Sequence, residues 1–295
     1  MESNYKVSII IPCLNETALG GLLTRLSAAH PLAEIIVVDD GSEPPVSVPD
    51  NVRVVRHAYT IGNGGAIKTG ARNATGDILV FLDADGQHDP QDVERLLDMI
   101  DQGYDMVVGA RISDSHASSG RRFANSIFNR LASIMTGYRI RDLTSGFRAA
   151  RARAFRNFLY LLPNGFSYPA TSTMAFFRCG YSVGYIDIKA HLRSGDSKIK
   201  PIQDGLRFLL IIFRIGALFS PMRFFLPLSA FLFLAATGLH AYTYFAMGRF
   251  TNMGAVLYLS SLFTFLFGVI SEQISALHYR YSEERRRVSP DSRVP

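Results

Sequence analysis

Two long apolar stretches near the C-terminus constrain the fold of this chain more than any other feature. Residues Phe224 to Met247 and Gly254 to about Leu277 are almost free of charged side chains. As helices, both are long enough to cross a hydrocarbon layer of ~30 Å. Two buried helices of a soluble domain are the alternative, but the residues that follow are too polar to cover so much apolar surface. The sequence therefore predicts two transmembrane helices.

Basic residues flank these stretches in a pattern that predicts their orientation. The connection between the stretches carries one charge, Arg249, whereas arginines are frequent before the first and after the second. Because basic flanks mark the cytoplasmic side, we expect a multi-pass protein of the cytoplasmic membrane with its N-terminal domain and its tail in the cytoplasm. Residues 1–12 contain no long apolar core of the kind found in signal peptides, which agrees with this orientation. The flanking arginines are Arg207, Arg214 and Arg223 on one side and Arg280, Arg285, Arg286 and Arg287 on the other.

The whole chain is expected to divide into four parts. Residues 1–200 are predicted to form a globular α/β domain, and residues 201–222 alternate apolar side chains with arginines, as an amphipathic juxtamembrane helix does. Residues 223–278 contain the two transmembrane helices, and residues 279–295 form a basic tail. Hydrophobic residues make up 48% of the 295 residues, enough for one α/β core and the membrane segments.

The N-terminal domain begins with a strand, a helix and a second strand. The apolar runs Val7–Ile11 and Ile35–Val38 have the length and composition of buried strands. Between them, the leucines of residues 19–26 recur at helical spacing. A strand–helix–strand unit predicts a mostly parallel sheet, and hence a Rossmann-like α/β fold.

Acidic residues follow both of these strands. Glu16 comes after the first strand, and Asp39 and Asp40 begin the turn after the second. The carboxyl ends of parallel strands share one edge of the sheet, where ligands of such folds bind. These carboxylates are therefore placed to accept hydrogen bonds from ribose hydroxyls or from a base N–H. The alternative is helix capping and turn formation, for which Asp and Glu are also common.

A third apolar run, Asp77 to Leu82, is followed by carboxylates at alternate positions. Asp83, Asp85 and Gln87 provide hard oxygen ligands where this predicted strand ends. A divalent cation held there would neutralise a nucleoside diphosphate as it leaves. A solvated polar turn is the alternative for this segment taken alone. Its occurrence after the two other acidic turns favours the metal site.

The order and spacing of these three segments resemble those of the family 2 nucleotide-sugar glycosyltransferases, which have the GT-A fold. The resemblance covers residues 5–200 and implies a nucleotide-sugar donor. In that family, acids after the first two strands hold the nucleoside, and the Asp-x-Asp-x-Gln element holds Mg²⁺ or Mn²⁺ on the donor diphosphate. Carried over to this chain, the donor-binding residues are Pro12, Glu16, Asp39, Asp40 and Asp83, and the metal ligands are Asp83, Asp85 and Gln87.

A glycine-rich segment, residues 62–69, follows the predicted strand Val52–Arg56. It is not expected to be a Walker-type phosphate loop, because Ile67 stands where a glycine is needed before the lysine. No Gly-x-Gly-x-x-Gly follows the first strand, which disfavours a dinucleotide oxidoreductase. We expect the glycines to let the backbone approach the donor at the start of a helix from Ala66 to Ala74, with Lys68 near the diphosphate.

Basic residues downstream of the metal motif indicate the acceptor. Arg111 ends a predicted strand, Arg122 and Ser126 lie four apart on a predicted helix, and Arg193 and Lys198 belong to a basic loop before the membrane segments. The pattern resembles the dolichol-phosphate mannose synthase and polyprenyl-phosphate glycosyltransferase branch of the family. The resemblance implies that Arg111, Arg122, Ser126, Arg193 and Lys198 surround the phosphate of a polyprenyl-phosphate acceptor and the transferred sugar. Arg148 stays open between a solvated surface charge and a phosphate contact.

A polyprenyl-phosphate acceptor determines the expected mechanism. The second pKa of a phosphate monoester is ~6, so at neutral pH the acceptor is mostly a dianionic nucleophile that needs no protein base. We expect a single in-line displacement at the anomeric carbon with inversion, and Asp85, Arg111 and Asp142 as the catalytic residues. Asp142 is expected to orient a sugar hydroxyl or the lipid phosphate, and a general-base role for it stays open.

Two other functions share parts of this pattern. A membrane glycosyltransferase acting on a saccharide hydroxyl needs a general base and, when processive, resembles its relatives in a Gln-x-x-Arg-Trp segment. This chain has no tryptophan. A non-catalytic membrane scaffold with a degraded nucleotide fold is disfavoured by the intact set of acids. The donor stays open between GDP-mannose and UDP-glucose types.

Composition excludes several further classes. Cys13 and Cys179 are the only cysteines, so neither a disulfide framework nor a zinc cluster is expected. The net charge of +6 suits a surface against anionic lipid, whereas no nucleic-acid-binding module is recognisable. Small residues such as Gly254, Ser260 and Gly268 are compatible with helix packing in a homo-oligomer.

Overall fold

The computed structural model describes residues 5–112, 119–165, 167–189, 210, 213, 221–249 and 251–287, with the backbone alone for residues 119–124, 247 and 277–287. The chain forms two compact units. One comprises Met1–Ser133 and Tyr138–Ile212, and the other comprises Ile134–Gly137 and Phe213–Pro295.

The N-terminal unit is built on a mixed sheet that is mostly parallel. In the described residues the sheet has seven strands in the order β3-β2-β1-β4-β6-β5-β7. All neighbours pair in parallel except β6, which is antiparallel to both β4 and β5. The strands are β1 (Val7–Cys13), β2 (Glu34–Asp39), β3 (Val52–Arg56), β4 (Ile78–Phe81), β5 (Met106–Arg111), β6 (Arg148–Arg151) and β7 (Val183–Ile188). The predicted α/β class with a mostly parallel sheet is confirmed.

Helices connect the strands and cover the sheet. The leucines predicted to form one helical face lie on α1 and are all buried, because their spacing places them on the side that packs against the sheet. The Ala66 helix begins earlier than predicted, at Asn63, directly after Gly62 with φ of +114°. The helices are α1 (Leu19–Ala29), α2 (Asn63–Asn73), α3 (Asp92–Asp101), α4 (Ser119–Thr136), α5 (Ala152–Arg156) and α6 (Tyr168–Arg178).

Strand direction brings the acidic and basic segments to one edge of the sheet. Strands β1, β2 and β4 run in parallel, so their carboxyl ends lie together. Because β6 is antiparallel to both β4 and β5, these two strands point the same way, and the loop that precedes β6 ends at this same edge. This loop, residues 141–147, therefore reaches the edge of the sheet at which Asp83 and Arg111 lie.

The C-terminal unit contains two long helices, α7 (Pro221–Met247) and α8 (Asn252–Arg287). Within them, residues Pro221–Ala246 and Asn252–Ala276 are long and apolar enough to cross a membrane, as predicted. Ser261 Oγ donates to the carbonyl of Ser229 at 2.8 Å, which joins the two helices. Helix α8 continues past the predicted end near Leu277, because the charged residues that follow are good helix formers. Most of the predicted juxtamembrane helix, residues 201–222, lies outside the described residues.

Candidate active site

The turn after β2 is organised by Asp39. Asp39 is fully buried and accepts hydrogen bonds from the backbone N–H groups of Ser42 at 2.8 Å and Val46 at 3.4 Å. Arg56 lies 3.4 Å from the same carboxylate. Burial alone would raise the pKa of Asp39, but the hydrogen bonds from Ser42 and Val46 and the charge of Arg56 outweigh it and lower the pKa. Asp39, a predicted donor-binding residue, therefore holds the turn in place.

The neighbouring Asp40 organises the segment that leads into α2. Its Oδ1 accepts from the N–H of Ile61 at 2.9 Å and lies 2.7 Å from His57 Nδ1, and its Oδ2 accepts from the N–H of Gly62 at 2.8 Å. His57 Nε2 is in turn 2.9 Å from Thr69 Oγ1. Sequence reasoning missed His57, which had no motif to mark it. Asp40 lies where predicted, at the end of β2, and these contacts fix its orientation.

The turn after β1 is attached to the turn after β2. Asn15, with φ of +55°, donates its backbone N–H to Ser42 Oγ at 3.0 Å and accepts from the N–H of Glu43 at 2.9 Å. Pro12 pairs with Val38 in the sheet, and the half-buried Glu16 follows directly. The structure thus places Pro12, Glu16, Asp39 and Asp40 together at one edge, as parallel pairing requires.

The glycines at the start of α2 contact the chain itself. The N–H of Gly64 donates to the carbonyl of Gly165 at 3.1 Å, and the N–H of Gly65 donates to the carbonyl of Asn164 at 2.7 Å. A Cβ on Gly64 would lie 2.0 Å from the carbonyl oxygen of Pro163. These glycines were expected to let the backbone approach the donor. In the structure they admit residues 163–165, a contact that a local pattern does not encode, and the approach of the donor to this segment remains a prediction.

Lys68 contacts the same segment. Its ammonium group donates to the carbonyl of Leu162 at 3.2 Å and to the side chain of Asn164. Burial lowers the pKa of Lys68, and the nearby charge of Arg72 acts in the same direction. The predicted contact of Lys68 with the donor diphosphate remains a prediction.

The predicted metal ligands lie at the end of β4. Asp83 follows the strand closely, its side chain is 34% exposed, and Asp85 Oδ1 accepts the N–H of Gln87 at 3.1 Å. In the described part of the chain, no group of three or more His, Cys, Asp or Glu is arranged to hold a metal. Two carboxylates and an amide oxygen nevertheless fit Mg²⁺ or Mn²⁺, because such ions commonly take few protein ligands and complete their shell with substrate phosphates. The donor set is therefore suitable for a metal carried with a diphosphate.

His88 packs beside this motif. Its ring is 6% exposed and stacks on Phe147 with centroids 5.0 Å apart, and its Nε2 lies 4.0 Å from Asp83 Oδ2. Burial lowers the pKa of His88 to about 4, and the neighbouring Asp85 only partly opposes it. The ring is therefore neutral near pH 7 and adds no positive charge beside the carboxylates. Sequence reasoning missed His88, although its position directly after Gln87 was a usable signal.

Arg111 and Asp142 form a bidentate ion pair beside the metal motif. Arg111 Nε donates to Asp142 Oδ2 at 2.8 Å, and Nη2 donates to Oδ1 at 3.0 Å. The backbone N–H groups of Thr144 and Ser145 also donate to Oδ1, at 3.0 and 3.1 Å. Burial alone would raise the pKa of Asp142, but the hydrogen bonds and charge of Arg111 lower it. A carboxylate stabilised in this way is a weak general base.

The remaining predicted acceptor residues are only partly described. Arg122 and Ser126 both lie on α4, as predicted, and Ser126 is exposed. The side chain of Arg122 lies outside the described residues, as do Arg193 and Lys198 altogether. The assignment of these four residues to the acceptor phosphate remains a prediction.

Arg148 is neither a surface charge nor a phosphate contact. Its side chain is fully buried at the start of β6. One guanidinium nitrogen, Nη1, donates to the carbonyl of Pro169 at 3.0 Å, to Ser172 Oγ at 2.7 Å and to Thr173 Oγ1 at 3.1 Å, and the other donates to the carbonyl of Ser145. Arg148 therefore ties the loop before β6 to the first turns of α6.

A pocket opens where these elements meet. Tyr168 donates its hydroxyl to the carbonyl of Gly146 at 2.9 Å, and a Cβ on Gly146 would lie 2.6 Å from Asp83 Oδ2. The glycine thus lets the loop approach the carboxylate. The pocket is lined by Asn63, Asp83, Thr144, Gly146, Ser167, Tyr168, Pro169 and Ala170. It connects Asp83 with Thr144, which in turn contacts both Arg111 and Asp142.

Two family models match the chain. The model described as glycosyl transferase family 2 matches residues 8–159, and the model described as the GtrB C-terminal hairpin matches residues 220–277. The first covers the strands that carry the acidic segments, and the second covers α7 and most of α8.

Curated relatives match the N-terminal part of the chain. The undecaprenyl-phosphate 4-deoxy-4-formamido-L-arabinose transferase of Enterobacter sp. is 35% identical over 51% of this chain and 50% of its own length. The polyprenol monophosphomannose synthase of Mycolicibacterium smegmatis is 30% identical over 51% of this chain and 63% of its own length. The chain thus spans between half and two thirds of the length of these relatives.

Solved structures share the fold. Glucosyl-3-phosphoglycerate synthase from Mycobacterium tuberculosis, in complex with Mn²⁺, uridine diphosphate glucose and phosphoglyceric acid, aligns with a TM-score of 0.58. The alignment covers 73% of this chain and 81% of that protein at 18% sequence identity. At this identity the likeness supports the fold alone.

Proposed function

The chain belongs to glycosyl transferase family 2, and we propose that it transfers a hexose from a nucleotide sugar to a membrane polyprenyl phosphate. The family expected from the three acidic segments is thereby confirmed. One observation carries the proposal: a family 2 match over residues 8–159 and a GtrB-type hairpin match over residues 220–277 occur on the same chain. The first supports nucleotide-sugar chemistry, and the second supports an acceptor in the membrane.

The names of the relatives support a lipid phosphate as acceptor. One relative is named for undecaprenyl phosphate and the other for a polyprenol. The helices α7 and α8 contain candidate membrane spans, and arginines flank them on the side that we assign to the cytoplasm. A polyprenyl phosphate in the cytoplasmic leaflet would then meet a nucleotide sugar made in the cytoplasm.

The donor is assigned to the edge formed by β1, β2 and β4. Glu16 and Asp40 lie at the ends of adjacent strands, where they suit the nucleoside, and Asp83 follows the third strand. Asp83, Asp85 and Gln87 would hold Mg²⁺ or Mn²⁺, which supplies positive charge to the diphosphate when bound. A GT-A structure with Mn²⁺ and a nucleotide sugar is consistent with this donor set.

The chain's own residues would align the reactants. A phosphate oxygen of the acceptor forms a bond to the anomeric carbon while the bond from that carbon to the donor diphosphate breaks, and the nucleoside diphosphate leaves with the electron pair. The configuration inverts. Arg111, oriented by Asp142, would offset the acceptor's charge. Its side chain is 34% exposed and contacts Thr144, which lines the pocket together with Asp83.

No protein base is needed for this reaction. The acceptor phosphate is mostly dianionic at neutral pH, because its second pKa is ~6. The lowered pKa of Asp142, whose carboxylate is engaged by Arg111 and two backbone N–H groups, agrees with a positioning role. An acceptor hydroxyl would require a general base, so the pairing of Asp142 favours the phosphate acceptor over a saccharide hydroxyl.

Transfer of labelled sugar to lipid tests the proposal. Detergent-solubilised protein is incubated with undecaprenyl phosphate or dolichyl phosphate and a panel of labelled nucleotide sugars that includes GDP-mannose and UDP-glucose. We expect one donor to label the lipid with Mg²⁺ or Mn²⁺ and a chelator to abolish labelling. Labelling of a saccharide acceptor, with none of the lipid, would contradict the proposal.

A further inference from the structure

Ser167, at the start of α6, has an unusual backbone and an unusual environment. Its backbone adopts φ of +86°, a left-handed conformation that residues other than glycine rarely adopt. It occupies the N-cap position of α6, yet its hydroxyl makes no capping hydrogen bond. The residue is 3% exposed, and its Oγ has no hydrogen-bond partner.

The left-handed backbone and the buried, unpaired hydroxyl both disfavour serine at this position unless the hydroxyl binds a ligand. Glycine would adopt this conformation without steric cost, and it would not bury a hydroxyl without a partner. The backbone itself is well held, because the Ser167 carbonyl accepts the N–H of Thr171 at 3.2 Å in the first turn of α6. A strained residue with a buried unsatisfied group points to a ligand that completes its bonding.

Ser167 belongs to the wall of the pocket beside the metal motif. Ser167 lines this pocket together with Asp83, Thr144 and Asn63. The walls are fixed, since Tyr168 holds the Gly146 carbonyl and Arg148 joins the same loop to α6. Ser167, with its unpaired hydroxyl, is therefore held in the pocket wall by a fixed frame.

The polar groups of the pocket suit the hydroxyls of a sugar. A carboxylate from Asp83 accepts hydrogen bonds, an amide from Asn63 both donates and accepts, and the hydroxyls of Thr144 and Ser167 do either. A second phosphate in this pocket would face the Asp83 carboxylate, which disfavours it. If the donor diphosphate lies at Asp83 and Asp85, its hexose is attached within a few bonds of this pocket.

We propose that this pocket receives the transferred hexose and that Ser167 hydrogen-bonds one of its hydroxyls, acting as a determinant of sugar specificity. The inference rests on the proposed function, because it takes the donor to be a nucleotide sugar bound at the metal motif. It adds a residue that no motif in the sequence marked. The proposed function assigns the nucleoside to the ends of β1 and β2 and the diphosphate to the metal. Loss of the Ser167 hydroxyl should therefore weaken binding of the sugar more than binding of the nucleoside diphosphate.

Calorimetric titration of the full-length solubilised protein separates the two parts of the donor. The ligands are the nucleotide sugar that labels the lipid in the transfer assay and the nucleoside diphosphate that it releases, both with Mn²⁺. For Ser167→Ala we expect roughly tenfold weaker binding of the nucleotide sugar, from the loss of one hydrogen bond. Binding of the nucleoside diphosphate should change less than about twofold.

The variant Ser167→Gly provides the matched control. It also removes the hydroxyl, but it relieves the left-handed strain, so its thermal unfolding temperature should rise while its affinity for the nucleotide sugar falls as in Ser167→Ala. It also keeps the test valid if the alanine variant folds poorly. Wild-type affinity for the nucleotide sugar in both variants would overturn the inference and leave the proposed function intact. Failure of every donor to label the lipid would instead overturn the proposed function, and this inference with it.

Discussion

The carboxylates that follow β2 and those that follow β4 lie along one edge of the sheet but differ in exposure and in hydrogen bonding. After β2, Asp39 and Asp40 are 1% and 4% exposed, and turn N–H groups and basic side chains occupy their oxygens. After β4, Asp83 is 34% exposed and lines a pocket. The same residue type at equivalent strand ends is therefore hydrogen-bonded by its own turn in one case and left exposed to a pocket in the other.

The difference lies in what the chain supplies after each strand. A tight turn follows β2, so its N–H groups point back at the carboxylates. The loop before β6 instead approaches Asp83 through Gly146, which has no side chain and leaves room beside the carboxylate. The role of an acidic residue at a strand end is thus undetermined until its hydrogen-bond donors are known. Substitutions after β2 and after β4 should therefore have different effects.

The largest effect is expected from a substitution on the β4 side. Asp85→Asn removes one of the two carboxylates of the proposed metal site, so kcat for lipid labelling should fall roughly 10³-fold. The thermal unfolding temperature should stay near the wild-type value, because the side chain is only half-buried. Labelling rates at saturating donor, with circular dichroism as a check on folding, measure both.

The control for this substitution lies just beyond the motif. Asp89→Asn makes the same chemical change in a turn where Asp89 accepts the N–H of Gln91 at 3.0 Å, a bond that asparagine can also accept. We expect near wild-type labelling. A fully active Asp85→Asn variant would exclude the metal assignment, and an equal loss in Asp89→Asn would show that the effect is not specific to the motif.

The second effect concerns the ion pair beside the pocket. Asp142→Ala leaves the Arg111 guanidinium without its carboxylate, so we expect a loss of roughly 10²-fold in kcat/KM for the polyprenyl phosphate and of about 2 kcal/mol in the free energy of unfolding. Asp142→Asn keeps a hydrogen-bond acceptor for Arg111 and should retain more activity. If asparagine and alanine are equally inactive while asparagine keeps the stability, Asp142 acts as a base and the positioning role is wrong.

The β1 and β2 side could be predicted from the sequence because its signals are local. The apolar run Ile35–Val38 and the leucine spacing of residues 19–26 each lie within a single element, and both elements form as expected. The acids follow the strands directly. Their position at a common edge then depends only on parallel pairing, which the short strand–helix–strand connection favours.

The β6 side could not be predicted in the same way, because its partners are distant in sequence. Arg148 reads as a surface residue by type, and its burial depends on Ser172 and Thr173 of α6. Likewise, the glycines of residues 62–65 indicate a close approach of backbone, but the packing of residues 163–165 against them depends on a segment far away in the sequence. Antiparallel insertion of β6 brings these segments together, and no local pattern encodes it.

A third prediction tests whether Arg148 is part of the frame. Arg148→Met keeps much of the volume but leaves the Pro169 and Ser145 carbonyls without their buried donor, so the free energy of unfolding should fall by about 3 kcal/mol. Arg148→Lys retains the charge but not the planar set of guanidinium donors. Its free energy of unfolding should therefore lie between those of the wild type and Arg148→Met. Urea unfolding followed by tyrosine fluorescence measures the change. Unchanged stability in both variants would mean that the loop before β6 is held by other contacts.

The smallest effect is expected on the β2 side and depends on pH. Asp39→Asn should lower the free energy of unfolding by about 1 kcal/mol at pH 7, because charge-assisted hydrogen bonds become neutral ones. The fold lowers the pKa of Asp39, so as the pH falls the unfolded chain takes up the proton before the native protein does. The wild-type advantage is therefore complete above the ordinary value of about 3.9 and declines as the pH falls through the lower native value. Urea unfolding of both proteins from pH 7 downwards measures this difference, with the exposed Asp50→Asn as control. A difference that stays constant at low pH would mean that the charge of Asp39 contributes nothing and that the turn after β2 is held by its backbone alone.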